Sequence, residues 1–281
     1  MSLTTEEILQ VALEAARLSE PPADSGVIVP GENIKKVAFG VDMETAELLV
    51  AREIGVDAVI THHPVGGEPK VNMFKVMENQ IERMVAAGVP VNKAQKALKS
   101  RMEEVDRGLH VANYDRVTSA AKALKMPLVA IHSPADLLGE RFIQAHLDQA
   151  LVGNPKAKLK DVLTALQELP EYMLTLAKPT IRVGGEGDFA GKVFVTMAGG
   201  TSGGVNVYKA YFEAGVGTLV VMHTPENVIK AVKEQNIGNI IVAGHMASDS
   251  VGINQVISAL EAKGVEVVRL SGVIDPKEAN A

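Results

Sequence analysis

Val56-Asp57-Ala58-Val59-Ile60-Thr61-His62-His63-Pro64 decides how this chain folds. The apolar run stops at two histidines, with Pro64, Gly66 and Gly67 directly behind them. A short apolar run bounded in this way reads as a strand, and the histidines stand at its C-terminal end. Upstream, Lys36-Val37-Ala38-Phe39-Gly40-Val41 reads as another strand, and residues 43–54 between the two carry helical spacing. Strand, helix, strand is a βαβ unit, which implies parallel pairing and a right-handed crossover. Such folds gather their binding and catalytic groups at the carboxyl ends of the strands. His62 and His63 stand at such an end.

Downstream, the spacing predicts a helix over 74–87, a strand at 89–91, a charged helix over 93–108, a helix containing Thr118–Leu124 and a strand at 127–131. A helix near 160–168 ends before Pro170. Strands near 172–178 and 192–197 flank Gly184, Gly185 and Gly187. The βαβ pattern then recurs: Lys192–Val195, a glycine-rich turn, a helix at 204–214 and a strand at 216–222. Glu53-Ile54-Gly55-Val56 aligns with Glu213-Ala214-Gly215-Val216, and Thr61-His62-His63 with Val221-Met222-His223. A last unit runs from Asn239–Gly244 through a helix at 248–263 to a strand at 265–270. The expected fold class is α/β, with two related α/β lobes built on mostly parallel central sheets.

Composition narrows the function. The chain has 281 residues, 47% hydrophobic and 22% charged, enough for one large or two modest globular domains. It has no cysteine, which excludes disulfides, thiolate zinc sites and cysteine nucleophiles together. A formal charge of -6 argues against a general nucleic-acid binder. Residues 1–18 read as an amphipathic helix with a Thr4/Glu7 capping box, unlike the basic start and apolar stretch of a signal peptide. No apolar run approaches membrane-spanning length. The expected location is the cytoplasm.

Neighbouring side chains on a strand point to opposite faces, so His62 and His63 would chelate one ion only if the strand end twists. Otherwise each serves a different metal, or both are surface histidines in a loop. Gly244-His245-Met246-Ala247-Ser248-Asp249 follows the apolar run 240–242. If a helix starts there, His245 and Asp249 share one face at a spacing that suits chelation. The competing reading makes Ser248 or Asp249 a helix N-cap and His245 a turn residue. Asp115, in His110-Val111-Ala112-Asn113-Tyr114-Asp115, follows a short apolar run and either joins this set or caps the next helix.

Three imidazoles and two carboxylates suit a borderline divalent ion: Zn, Mn, Fe(II), Co or Ni. Five ligands over-supply one ion that keeps an open position, but they fit two ions sharing carboxylates. The net positive charge of two ions against two carboxylates would acidify a water held there and attract an anionic small molecule. The metal-binding lobe is then expected to comprise 1–134 plus 235–281, with 135–234 as an inserted second lobe.

Thr61-His62-His63-Pro64, Asn113-Tyr114-Asp115 and Gly244-His245 with Asp249 resemble the signature of the GTP cyclohydrolase I type 2 homologues, also called Ngg-one-interacting-factor-three-like proteins. The likeness covers most of the chain and is clearest in the outer thirds. It implies a two-lobed α/β protein that holds two divalent metal ions and assembles as a homohexamer. By that likeness His62, His63, Asp115, His245 and Asp249 fall on metal ligands. Asp249 stands where the family usually has glutamate, and Val111 where it usually has histidine. Met222-His223 replaces a typical glycine-glutamate. His223 either enters the pocket or is coincidental. The lysines and arginine at 93, 96, 99 and 101 mark an insertion.

Ala198-Gly199-Gly200-Thr201-Ser202-Gly203-Gly204 lies between a strand and a helix. Its N–H groups could hold an anion, or it is a tight turn without a ligand. His110, His132 and His146 read as structural or surface groups. No general acid or base is evident beyond the candidate ligands, so the catalytic residues are unknown. The leading expectation is a metal-dependent hydrolase of a nucleotide-like or phosphorylated small molecule. The alternative is a non-catalytic metal-binding or ligand-sensing oligomeric adaptor.

Overall fold

The structure, a computed structural model, describes residues 2–280. In chain order the first elements are α1 (Thr5–Ala16), β1 (Gly26–Val29), β2 (Lys36–Gly40), α2 (Thr45–Glu53), β3 (Ala58–Thr61) and α3 (Gly67–Val71). Next come α4 (Asn79–Ala87), α5 (Val91–Leu109), α6 (Arg116–Leu124), β4 (Leu128–Ala130), α7 (Ser133–Ala150), α8 (Leu159–Gln167) and α9 (Pro170–Leu174). The remainder are β5 (Thr180–Val183), β6 (Val193–Val195), α10 (Val205–Glu213), β7 (Thr218–Val221), α11 (Glu226–Gln235), β8 (Asn239–Val242), α12 (His245–Ala262) and β9 (Glu266–Leu270). Among the described residues no helix is long and apolar enough to cross a membrane.

The strands form two sheets among the described residues, ordered β1-β4-β3-β2-β9 and β5-β8-β7-β6. In the first, β4, β3, β2 and β9 run parallel and β1 is antiparallel to β4. In the second, β8, β7 and β6 run parallel and β5 is antiparallel to β8. Each antiparallel pairing carries a register shift, between Val27 and Val29 and between Ile181 and Val183. The two sheets therefore repeat one pattern: an antiparallel edge strand followed by three parallel strands in reverse chain order. An 18-residue helix follows the fourth strand of each set, α7 after β4 and α12 after β8.

Two compact units divide the chain. The first takes in residues up to 76, 105–139 and 249–275; the second takes in 77–104, 140–248 and the residues after 275. Residues 235–248 go with the second unit because β8 pairs with β7 and β5. Two local expectations are corrected. Residues 89–91 form no strand, since Val91 opens α5. Residues 172–178 form no strand either: Pro170 sits at the first position of α9, where its missing N–H costs nothing.

The central strands β2, β3 and β4 of the first sheet are buried on both faces, which is why they read as unbroken apolar runs. Val37, Phe39, Ala58, Ile60, Val129 and Ile131 pack with Ile8 and Ala12 of α1 and with Ile253, Val256 and Leu260 of α12. Ala38, Val59 and Leu128 face the opposite way, onto Leu48 and Ala51 of α2 and Val117 and Ala121 of α6. His62 continues the parity of Ala58 and Ile60, so it points to the α12 side.

Within the first unit α7 and α12 cross at very short range. A Cβ added at Gly252 would lie 2.1 Å from Ala135 O and 3.2 Å from Gly139 N. Glycine is required there for space rather than for backbone angle. The crossing sets the first turn of α7 beside the part of α12 that carries Asp249.

Candidate metal centre

The ladder of β3 continues past its last residue. His62 N–H donates to Gly40 O and His63 N–H to Val41 O, both at 2.9 Å. Pro64 has no N–H and ends it. The twist at this end keeps the two rings together, with centroids 5.0 Å apart. A third ring joins them: His132, at the end of β4, lies 4.8 Å from His62 and 5.7 Å from His63.

Each ring is anchored through Nδ1. That of His62 meets Ile131 O at 3.1 Å, that of His63 meets Asp42 Oδ1 at 2.8 Å, and that of His132 meets Asp24 Oδ2 at 2.7 Å. Carbonyl and carboxylate oxygens can only accept, so each Nδ1 carries the hydrogen. All three Nε2 atoms then face carboxylates. His62 Nε2 lies 3.3 Å from Asp136 Oδ1 and 3.6 Å from Asp249 Oδ1. Asp136 Oδ2 is 3.7 Å from His132 Nε2, and Asp249 Oδ2 is 3.6 Å from His63 Nε2. Each aspartate thus offers one oxygen to the central His62 and the other to an outer histidine.

The charges are strongly coupled. Burial opposes protonation of His62, but Asp249 and Asp136 outweigh it and hold its pKa well above the ordinary value. Burial likewise opposes protonation of His132, and Asp136 and Asp24 overcome it, so its pKa is raised too. His63 goes the other way. Burial and the charge of His62 depress it to about 4, against the pull of Asp249. Burial disfavours ionised Asp24, yet His132 and the hydroxyls of Ser133 and Ser25 hold its carboxyl below the usual range.

The donor set fits a metal. Nitrogen and oxygen ligands bound at about 2.0–2.2 Å lie roughly 3.0–3.6 Å apart around one ion. The spacings about His62 fall in or next to that range. His62 Nε2 and Asp136 Oδ1 are buried and make no hydrogen bond, despite facing each other at 3.3 Å. Buried polar atoms left in this way are costly unless a cation completes them. His62, His63 and His132, and His62, Asp136 and Asp249, each present ligand atoms within 4.8 Å of one another.

Of the residues expected from sequence, the structure brings together His62, His63 and Asp249. His245 opens α12, one turn before Asp249, with its ring 4.8 Å from that of His223. Asp115 is not in the group. It is the N-cap of α6 without a side-chain cap bond, and it lines a separate cavity of about 880 Å³ with Tyr114, Glu68 and Lys122. His110 is exposed beside Asp106, and His146 Nε2 meets Ala165 O at 2.7 Å. The carbonyls of the 198–204 loop are taken by the second unit's own side chains: Gln80 Nε2 donates to Gly199 O and Thr201 O at 2.7 Å, and Arg83 Nε to Ala198 O at 3.1 Å.

Sequence reasoning missed Asp24 and Asp136 and read His132 as structural or surface. A signal for two of them was present. His132-Ser133-Pro134-Ala135-Asp136 follows the fourth strand of the first set as His245-Met246-Ala247-Ser248-Asp249 follows that of the second. Histidine and aspartate recur at the same spacing in the same place.

The profile of the Duf34/NIF3 (NGG1p interacting factor 3) family matches residues 4–93. A NIF3 superfamily protein from Sphaerobacter thermophilus is 39% identical over 96% of this chain and 98% of its own, with a TM-score of 0.92. TTHA1606 from Thermus thermophilus is 21% identical over 96% of this chain and 98% of its own, with a TM-score of 0.60. Reduced HcgD from Methanocaldococcus jannaschii is 15% identical over the same shares, 96% and 98%, with a TM-score of 0.62. The last two share the fold. No curated protein matches the chain.

Proposed function

The chain belongs to the NIF3 superfamily, and from that premise we propose that it is a dinuclear metal-binding protein acting as a metal-dependent hydrolase on a nucleotide-like or phosphorylated small molecule. The observation that carries this reading is the sharing of oxygens: Asp136 and Asp249 each turn one oxygen to His62 and the other to an outer histidine. Carboxylates divided in this way suit two neighbouring ions better than one. His62, His63, His132, Asp136 and Asp249 would hold them.

Bound divalent ions supply Lewis acidity, polarising a phosphoryl or carbonyl oxygen and making water acidic enough to attack near neutral pH. The chain's own residues do the rest. His62, Asp136 and Asp249 are buried and exclude bulk water, while the His63 side chain is 26% exposed and marks the side from which a substrate reaches the centre. With its pKa near 4, His63 is neutral at pH 7 and available as a ligand.

Elemental analysis after loading with zinc, manganese or iron(II), on wild type and His62→Ala, tests the centre. About two equivalents per chain, lost in the variant, is the outcome a dinuclear site requires. A metal-free preparation that hydrolyses phosphoesters or nucleotides as fast as a loaded one would refute the mechanism. The closed surroundings of His62 favour a second reading, a metal-holding or ligand-sensing adaptor without turnover. A loaded protein inert across nucleotide and phosphoester panels would establish it. The family likeness further implies a homohexamer, which sedimentation of the loaded protein would test.

A further inference from the structure

Asp24 lies between α1 and β1, fully buried, and nothing in the local sequence marks it. Its carboxylate accepts three hydrogen bonds, two of them from the residues that open α7. Its Oδ2 accepts from His132 Nδ1 and from Ser133 Oγ, both at 2.7 Å. Its Oδ1 accepts from Ser25 Oγ at 3.1 Å, and Ser25 Oγ in turn accepts from His132 N–H at 3.1 Å. The imidazole and backbone of His132 are therefore held from two sides by consecutive residues.

We propose that Asp24 is a positioning residue for the metal centre, fixing His132 with Nε2 toward Asp136 and making it a tightly held ligand, a task that Asp42 performs more weakly for His63. This inference rests on the metal-centre reading above. A buried ion pair alone gives little reason for a carboxylate here, because well-packed apolar groups commonly serve stability as well or better. What requires one is the far side of the ring: the nitrogen opposite Asp24 faces Asp136 at 3.7 Å. A carboxylate on Nδ1–H sets the tautomer, stops the ring from turning over and raises the basicity of Nε2.

The two backing carboxylates are unequal. Asp24 has a side-chain exposure of 0%, Asp42 of 63%. Water competes with the bond from His63 to Asp42 and screens its charge, whereas nothing of the kind reaches Asp24. His62 is backed only by the carbonyl of Ile131. The centre thus has one strongly backed histidine, and the metal position that includes His132 fills first.

Cobalt(II) is the probe, with affinity measured by competition against a chelator and coordination by the visible ligand-field spectrum. Asp24→Asn keeps an oxygen for His132 Nδ1–H and removes the charge. It is expected to weaken the tighter cobalt site about 10- to 100-fold and to shift the ligand-field bands. Asp24→Ala should lose at least as much, and Asp42→Asn less than about threefold. A folded Asp24→Asn protein with wild-type affinity and spectrum would overturn the proposal, as would an Asp42→Asn loss as large as that of Asp24→Asn. If the Asp24 variants do not fold, nitrogen-15 NMR of the histidine rings in zinc-loaded wild type decides. A protonated Nδ1 on His132 with Nε2 bound to metal supports the assignment, and the reverse tautomer overturns it. Wild type that takes up neither cobalt nor zinc would overturn the metal-centre reading itself, a result distinct from loss of Asp24's role alone.

Discussion

Gly252 and Ala135 approach so closely that a Cβ on Gly252 would stand 2.1 Å from the Ala135 carbonyl oxygen. The obstacle is backbone, so no rotamer change can relieve it. The approach matters because Asp136 is the next residue along α7 and Asp249 lies one turn earlier on α12. Close crossing of the two helices is the condition for their carboxylates to share His62.

Gly252→Ala should therefore destabilise the protein, although alanine is the better helix former by about 1 kcal/mol. Overpacking against fixed backbone costs roughly 1–3 kcal/mol, and the helices must part to relieve it. Thermal melting should fall by several degrees and cobalt affinity should fall with it, because parting the helices separates Asp136 from Asp249. A variant that melts at or above wild type and binds cobalt normally would show that the crossing does not set the centre.

Metal-free protein should be most stable near neutral pH. The pKa values of His62 and His132 are raised in the fold, so their contribution is full below the unfolded value of about 6.5 and is lost as pH rises through the folded values. The pKa of His63 is depressed to about 4, so its contribution is present above about 6.5 and is lost as pH falls toward 4. Melting temperature should decline on both sides of this maximum. Saturating zinc should abolish the alkaline decline, since the ion replaces the protons that neutralise Asp136 and Asp249. An alkaline decline of equal size with and without zinc would contradict this account.

The same coupling makes metal uptake release protons. A histidine must be deprotonated at the nitrogen that binds, and His62 and His132 carry raised pKa values in the metal-free fold. Calorimetric titration with zinc at pH 7 in buffers of different ionisation enthalpy should report a net release of protons. A buffer-independent enthalpy would mean that both rings are already neutral.

Much of the fold could be read from the chain, for a physical reason. Strands buried on both faces are continuous apolar runs, so β2, β3, β4, β7 and β8 announced themselves, and the apolar run of β3 stopped at His62 and His63. Edge strand β1 could not be read this way: Gly26-Val27-Ile28-Val29 is short and only partly buried. Asp24 was invisible because its role depends on a ring 108 positions away in the chain. Asp249 was legible through its spacing from His245. His132 and Asp136 have the same spacing, but His132 read as a structural or surface group and Asp136 was not singled out. Pro134 occupies the first turn of α7, where proline is tolerated.

Asp136 and Asp115 make the sharpest contrast between sequence and structure. Asp115 follows a short apolar run at a helix start, as a ligand at a strand-to-helix junction would, but it stands at the N-cap position of α6 without a side-chain cap bond, beside Tyr114 and Lys122. Asp136 sits in the first turn of α7, buried, with Oδ1 toward His62 and Oδ2 toward His132. Asp136→Asn should remove a charge that both rings face and leave metal content well below wild type after dialysis, as should Asp249→Asn. Asp115→Asn should leave metal content unchanged and alter stability by no more than about 1 kcal/mol, the scale of a helix cap. Both melting and elemental analysis are needed, since a variant that merely unfolds also loses metal. If Asp115→Asn empties the centre in a folded protein while Asp136→Asn keeps its metal, the ligand set drawn from the sequence is right and the one drawn from the geometry is not.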